Sequence, residues 1–185
     1  YRRGVTSKGM VWNVRENLKS FGVEVFLSTH PEAIIKTRYI DEKSNQQIMR
    51  YDVEPKIEPY WMDFPQEWNS EYDALVISDY NKGYLTTEKI FELTSRFTGP
   101  VFIDSKKTNL PADAYIKVNE LEHERMAYCN YENLIITRGS KGAEYKGDLY
   151  PAEKVNVFDV VGAGDTFLAA LAYGYLKYGR IDKAI

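Results

Sequence analysis

The 185 residues hold little of what marks a disulfide-stapled, membrane-spanning or nucleic-acid-binding protein. A single cysteine, Cys129, excludes an internal disulfide, and its place on an expected helix makes it a plain buried thiol. The two histidines, His30 and His123, stand without metal-ligand spacing, and there is no Cys/His cluster. No apolar run approaches the ~18 residues of a membrane span and no signal peptide is read, so a reducing cytoplasm is the expected setting, with no membrane partner. A net charge of −3 gives no electrostatic footprint for nucleic acid. No internal repeat, no low-complexity tract and no GxGxxG after a first strand is present, which sets a nicotinamide-binding oxidoreductase aside. Fifteen tyrosines are many, but they are scattered and read as packing.

What is present begins with residues 159–166, Asp159-Val160-Val161-Gly162-Ala163-Gly164-Asp165-Thr166, which open an apolar helical run. Gly162, Ala163 and Gly164 let backbone N–H groups approach a ligand at the positive end of a helix, an arrangement that suits phosphate. Asp165 does not suit a site that only binds anions, because a carboxylate repels phosphate. It fits if the acid takes a proton from whatever attacks phosphorus. The alternative is a Gly-rich turn capping a buried helix, with Asp165 there for the dipole.

The octet resembles the DTTGAGD signature of the ribokinase-like (PfkB) carbohydrate kinases. Five further stretches follow in that family's order. Gly9-Met10-Val11-Trp12-Asn13-Val14 resembles its GGAANV segment, Ser78-Asp79-Tyr80-Asn81-Lys82-Gly83 its LSDYGKG stretch, and Asp104-Ser105-Lys106 its DPK stretch. Asn119-Glu120-Leu121-Glu122 matches NxxE, and Thr137-Arg138-Gly139-Ser140-Lys141-Gly142 resembles the TxGxxG nucleotide loop. The heptose 7-phosphate kinase branch is the most similar, and Lys36, Arg38, Gln46, Gln47 and Arg50 resemble its lid hairpin.

The resemblance implies ATP and Mg²⁺, with a sugar or sugar phosphate as acceptor and a homodimer formed through the hairpin. Asp165 would be the base and Gly162, Ala163 and Gly164 the anion hole. The nucleotide side would draw on Asn119, Glu122, Thr137, Arg138, Gly139, Gly142, Lys82 and Lys106. The acceptor side would draw on Gly9, Asn13, Lys36, Arg38 and Asp79. Asn119 and Glu122 would hold hydrated Mg²⁺; they read equally as a helix capping box, and both can hold at once. Asp159 would lie beside a monovalent-cation site (K⁺), or is simply a helix-entry acid. Lys36, Arg38 and Arg50 form a basic lid face, or a charged edge that discourages aggregation. Lys82 and Lys106 read either as phosphate contacts or as solvated surface lysines.

The expected fold is α/β: a ribokinase-like, Rossmann-like, mostly parallel sheet with helices on both faces and a small β lid hairpin. One domain is expected over residues 1–185, incomplete at both ends against the family pattern, with the hairpin at 34–53. Spacings of three and four predict a helix over Met10–Phe21, and alternation predicts a strand over Val23–Leu27. Hairpin strands are expected at Ile34–Ile40 and Gln47–Val53. Then come strand Ala74–Ser78, helix Thr87–Phe97, strands Val101–Asp104 and Tyr115–Val118, helix Glu120–Cys129 and strand Leu134–Thr137, with an antiparallel region at Ala143–Tyr150. Asp79, Asp104, Asn119 and Arg138 fall at strand carboxyl ends, where open α/β sheets bind ligands.

Two departures from the family pattern bear on the acceptor side: Met10 stands at the second glycine of GGAAN, and Trp12 replaces a small residue. Either narrows a pocket that needs close backbone approach. A ribose-, fructose- or nucleoside-type kinase is an alternative within the class, and a nucleotide-binding module that no longer transfers phosphate is one outside it.

Overall fold

Apolar residues two apart on successive strands make two different faces of one sheet, and each face has its own helices. In the computed structural model, which describes residues 10–32, 34–44, 46–60, 71–126, 131–153 and 161–185, the strands are β1 (Ile35–Ile40), β2 (Gln47–Val53), β3 (Leu75–Asp79), β4 (Val101–Ser105), β5 (Tyr115–Asn119), β6 (Leu134–Thr137), β7 (Ala143–Tyr145) and β8 (Asp148–Tyr150). The helices are α1 (Val11–Ser20), α2 (Thr87–Arg96), α3 (Glu120–Arg125) and α4 (Ala163–Tyr178). Strands β3 to β8 lie side by side in chain order; β3 to β6 are parallel, and β7 and β8 antiparallel. Gly9, Asp159 and Cys129 lie outside the described residues.

One face presents Ile77, Ile103, Ile116, Val118 and Ile136 to Ile90 and Leu93 of α2 and to Met126 beyond α3. The other presents Phe102, Ile135 and Ala143 to Val14 and Leu18 of α1 and to Leu168, Leu171 and Ala172 of α4. Leu168 and Leu171 are fully buried, a burial that stabilises by about 1.5–3 kcal/mol each. α1 is also fastened to α4 by Phe21 stacking on Tyr173 with ring centroids 4.8 Å apart. Thr86 caps α2 by accepting from the Lys89 backbone N–H at 3.1 Å, and α2 stops at Phe97, three residues before Pro100, which cannot continue a helix.

The expected strand over Val23–Leu27 does not form. The segment alternates in burial, and Val23 and Val25 pack on the α1–α4 core, but it joins neither sheet. Alternation specifies which side chains turn inward, not a backbone partner.

The hairpin β1–β2 forms its own two-stranded sheet. Ile35, Thr37, Tyr39, Met49, Tyr51 and Val53 share one face by register, and the large apolar residues among them are exposed. The opposite face carries Lys36, Arg38, Arg50 and Asp52.

Candidate active site

Strand register puts the polar ends of the sheet into rows. Ser78, Asp104 and Lys117 lie across β3, β4 and β5 on the α4 face, while Asp79 and Ser105 lie on the other. A cleft opens where these rows meet the start of α4; Asp79, Tyr80, Asp104, Lys106, Lys117, Asn119, Gly162, Gly164 and Asp165 line it.

Gly162 and Gly164 serve the helix start for different reasons. Gly162 is the N-cap with φ 83°, a left-handed conformation that costs other residues roughly 1–2 kcal/mol. Gly164 is needed for room: a Cβ there would stand 2.9 Å from Lys117 Nζ and 3.7 Å from Asp104 Oδ2. The start of α4 therefore rests on a lysine ammonium. Backbone N–H groups of the first turn and this ammonium set positive charge against the carboxylates of Asp79, Asp104 and Asp165 that also line the cleft.

Asp165, in the first turn of α4, is 3% exposed. Its two oxygens are held separately: Asn13 Nδ2 of α1 donates to Oδ2 at 3.0 Å, and Tyr80 Oη donates to Oδ1 at 2.6 Å. Burial raises the Tyr80 phenol, and the bond to Asp165 and the negative charges of Asp165, Asp104 and Glu122 raise it further, so Tyr80 remains a donor. An ionised carboxylate has about four acceptor sites, so two donors leave room for a substrate hydroxyl.

Lys117 is buried and donates to Asp104 Oδ2 at 2.7 Å. Burial pushes the Asp104 carboxyl up even so, with the Lys117 charge and hydrogen bond opposing it. Asp79 is the hub of a second cluster, accepting from Ser105 Oγ at 2.7 Å, Lys107 Nζ at 2.6 Å and the Asn81 backbone N–H at 2.9 Å.

Asn119 and Glu122 form the capping box of α3, each side chain accepting the other's backbone N–H at 2.9 Å. Lys106 closes on Glu122 Oε1. Burial raises the Glu122 carboxyl, but the Lys106 ammonium and the Asn119 backbone donor outweigh it and hold it below its ordinary range. Among the described residues no group of three or more His, Cys, Asp or Glu could hold a metal ion alone. The carboxylates and the Asn119 amide in and beside the cleft offer oxygen ligands, the kind hydrated Mg²⁺ takes between carboxylates and substrate phosphates.

Other expected site residues are engaged elsewhere. Lys82 holds Glu54 at 2.7 Å, and Arg138 holds Glu120 at 2.8 Å and Glu144 at 2.7 Å. Lys36 faces Asp52 and Glu54 at 3.5 and 3.6 Å. Arg50, and then Lys36, hold Asp52 down to about 2, so the expected basic lid face is largely an internal ion network; Arg38 lies opposite Arg50. Thr137 Oγ1 ties β6 to the Val118 carbonyl at 3.1 Å. Gly139 opens a short 3₁₀ turn, and a Cβ on Gly142 would collide with the Tyr150 carbonyl, a structural demand of β7 and β8.

The model of the pfkB family carbohydrate kinases matches residues 117–185. The pfkB match takes in Lys117, the capping box, the Thr137–Gly142 turn and the whole of α4. Over 204 aligned residues the chain is 29% identical to the bifunctional protein HldE of a Nitratiruptor species, spanning 94% of this chain and 44% of that protein. It is 33% identical over 187 residues to the bifunctional protein HldE of Pasteurella multocida, spanning 84% of this chain and 38% of that protein. The chain thus spans about two fifths of the length of these curated relatives. Ribokinase from Thermotoga maritima superposes with a TM-score of 0.61 at 20% identity, covering 92% of this chain and 65% of that one, and the fold is ribokinase-like.

Lys117, Lys107, Ser105 and Tyr80 were not singled out as site residues from sequence. Lys117 had one usable signal: it is a lysine inside an otherwise apolar strand, two residues before Asn119.

Proposed function

We infer that this chain transfers the terminal phosphoryl group of ATP to a hydroxyl of a sugar or sugar phosphate. The observation that carries this is Asp165: a buried carboxylate at the first turn of a helix, lining a cleft beside the helix-start glycines and the Lys117 ammonium. Asp165 takes the hydroxyl proton as the acceptor oxygen forms its bond to phosphorus and the bond to the departing ADP oxygen breaks. The first-turn amides at Gly162–Gly164 and the Lys117 ammonium stabilise charge on the phosphoryl oxygens, where preorganised donors in low dielectric contribute several kcal/mol. Mg²⁺, when bound beside Asn119 and Glu122, would neutralise phosphate charge. Asn13 and Tyr80 orient Asp165.

A heptose 7-phosphate is the acceptor we favour, on the likeness of Ser78–Gly83, Asp104–Lys106 and the hairpin to that branch. The exposed apolar hairpin face supports a homodimer, with the charged face turned toward the acceptor. A cytoplasmic setting suits a kinase of soluble metabolites, and no helix among the described residues is long and apolar enough to cross a membrane.

The test is a coupled kinase assay with D-glycero-β-D-manno-heptose 7-phosphate, ribose, fructose and adenosine, beside calorimetric titration of Mg·ATP. Turnover with at least one acceptor, abolished in Asp165→Asn while ATP affinity stays within a few-fold, is expected. ATP binding with no turnover on any acceptor would replace this reading by that of a non-catalytic nucleotide-binding module.

A further inference from the structure

The loop that follows β3 reaches both the catalytic carboxylate and the hairpin within five residues. At its start, Tyr80 donates its hydroxyl to Asp165 Oδ1 at 2.6 Å. Two residues on, Lys82 Nζ donates to both oxygens of Glu54, at 2.8 and 2.7 Å, one residue past the end of β2. At its end, the Tyr84 carbonyl accepts from the Tyr60 backbone N–H at 2.7 Å, and the two rings lie 5.2 Å apart. A Cβ on Gly83 would stand 3.0 Å from the Ile57 carbonyl oxygen.

The root of the loop is braced. The Asn81 backbone N–H donates to Asp79 Oδ1 at 2.9 Å, Asn81 takes a φ of 53°, and its side-chain oxygen accepts from Lys107 Nζ at 3.0 Å. A short, braced segment held at both ends transmits displacement where a slack one would absorb it.

We propose that this loop makes the orientation of Asp165 depend on the seating of the hairpin, with Tyr80 the positioning residue for the carboxylate and Lys82 the residue that holds Glu54. The proposal rests on the kinase reading of Asp165. A general base must lie within hydrogen-bond reach of the proton it takes, and a misplacement near 1 Å can cost ~10²-fold in rate. Tyr80 fixes one carboxylate oxygen and Asn13 the other, so releasing Tyr80 lets the carboxylate turn about its bond to α4. The Lys82–Glu54 pair is partly exposed, and such a pair adds little to stability. A rate effect from breaking it therefore reports linkage and not unfolding.

The experiment compares wild type, Tyr80→Phe, Glu54→Gln, the double variant and Lys56→Ala. Lys56 pairs with Glu58 in the connection after β2 and serves as a control for loss of charge. Steady-state kinetics use ATP and the best acceptor of the panel above, with melting temperature measured alongside. Tyr80→Phe is expected to lower kcat about tenfold, with both KM values within about threefold, because a hydrogen bond to the charged base is lost. Glu54→Gln lowers kcat about threefold with an unchanged melting temperature, and Lys56→Ala leaves it unchanged. The double variant is no slower than Tyr80→Phe, because the hairpin has lost its route to the base. Multiplying effects, a silent Glu54→Gln, or a Tyr80→Phe that changes melting but not kcat would each overturn the linkage while leaving the kinase reading standing. A wild type that phosphorylates no acceptor overturns both.

Discussion

Lys117→Met separates two roles that the buried ammonium combines. The side chains of Lys117 and Asp104 are 6% and 14% exposed, and their contact is 2.7 Å. Removing the ammonium leaves a buried carboxylate without its cation, a loss of about 3–5 kcal/mol when a buried pair is broken from one side. The carboxylate can escape by taking a proton. Burial already raises it above the ordinary 3.8, and losing the cation raises it further. The native variant then holds this proton to higher pH than the unfolded chain, so stability falls as pH rises from about 4 through the raised value. The slope is at most ~1.4 kcal/mol per pH unit. The expected result is a melting temperature lowered by roughly 6–20 °C at pH 7, with the gap to wild type closing toward pH 5. Adding Asp104→Asn removes the buried charge and restores most of the loss. Turnover is not restored, because nothing positive then stands beneath Gly164. Differential scanning calorimetry across pH, beside a coupled kinase assay, reads both quantities. A pH-independent loss below 1 kcal/mol would refute the buried-pair argument, and wild-type kcat in the folded double variant would refute the catalytic one.

Other perturbations probe the helix start and the first helix. Gly162→Ala places a side chain at φ 83° and should destabilise by about 1–2 kcal/mol, measured by urea denaturation. Gly164→Ala gains up to ~1 kcal/mol of helix propensity against displacement of Lys117 Nζ, so it should melt within a few degrees of wild type yet lose at least tenfold in kcat. Met10 holds φ 58° as the N-cap of α1 with no side-chain capping bond; Met10→Gly should therefore raise stability by about 1 kcal/mol and improve acceptor KM. Glu122→Gln keeps the capping geometry but not the charge. The Glu122 carboxyl is held below its ordinary 4.5, so its stabilisation is present above that value and lost as pH falls through the lower folded one. The melting gap between wild type and this variant should thus shrink on acidification below pH 4.5.

Much of the architecture was legible in local pattern. The helix over Val11–Ser20, the hairpin strands, the strand at Leu134–Thr137 and the antiparallel pair before α4 follow from spacing and turn residues, and they stand within a residue or two of expectation. Helix α3 carries its own start signal, since Asn119 and Glu122 satisfy each other's backbone within four residues. Contacts between long side chains were not legible. Nothing local tells that Lys82 turns to Glu54, 28 residues earlier, or that Arg138 is divided between Glu120 and Glu144. Those lysine and arginine stems choose partners by tertiary placement, and each choice withdraws a cation that the sequence offered to phosphate.

The candidate site shows the same division more sharply. Asp79, Asp104, Asn119 and Arg138 were expected together because each ends or follows a strand; the first three line one cleft, and Arg138 is held by Glu120 and Glu144 instead. Strand pleat then sorts them. Asp104 shares the α4 face with Lys117, while Asp79 points to the opposite face beside Ser105. A strand end fixes where along the sheet a side chain stands; only register fixes which face it serves. Lys117, placed by a pairing thirteen residues back in the chain, thereby comes to lie under the signature helix. Asp79 accepts from Asn81, Ser105 and Lys107, while the next residue, Tyr80, crosses to Asp165 from the end of β3. The carboxylate that ends the strand thus braces the loop, and the tyrosine after it touches Asp165.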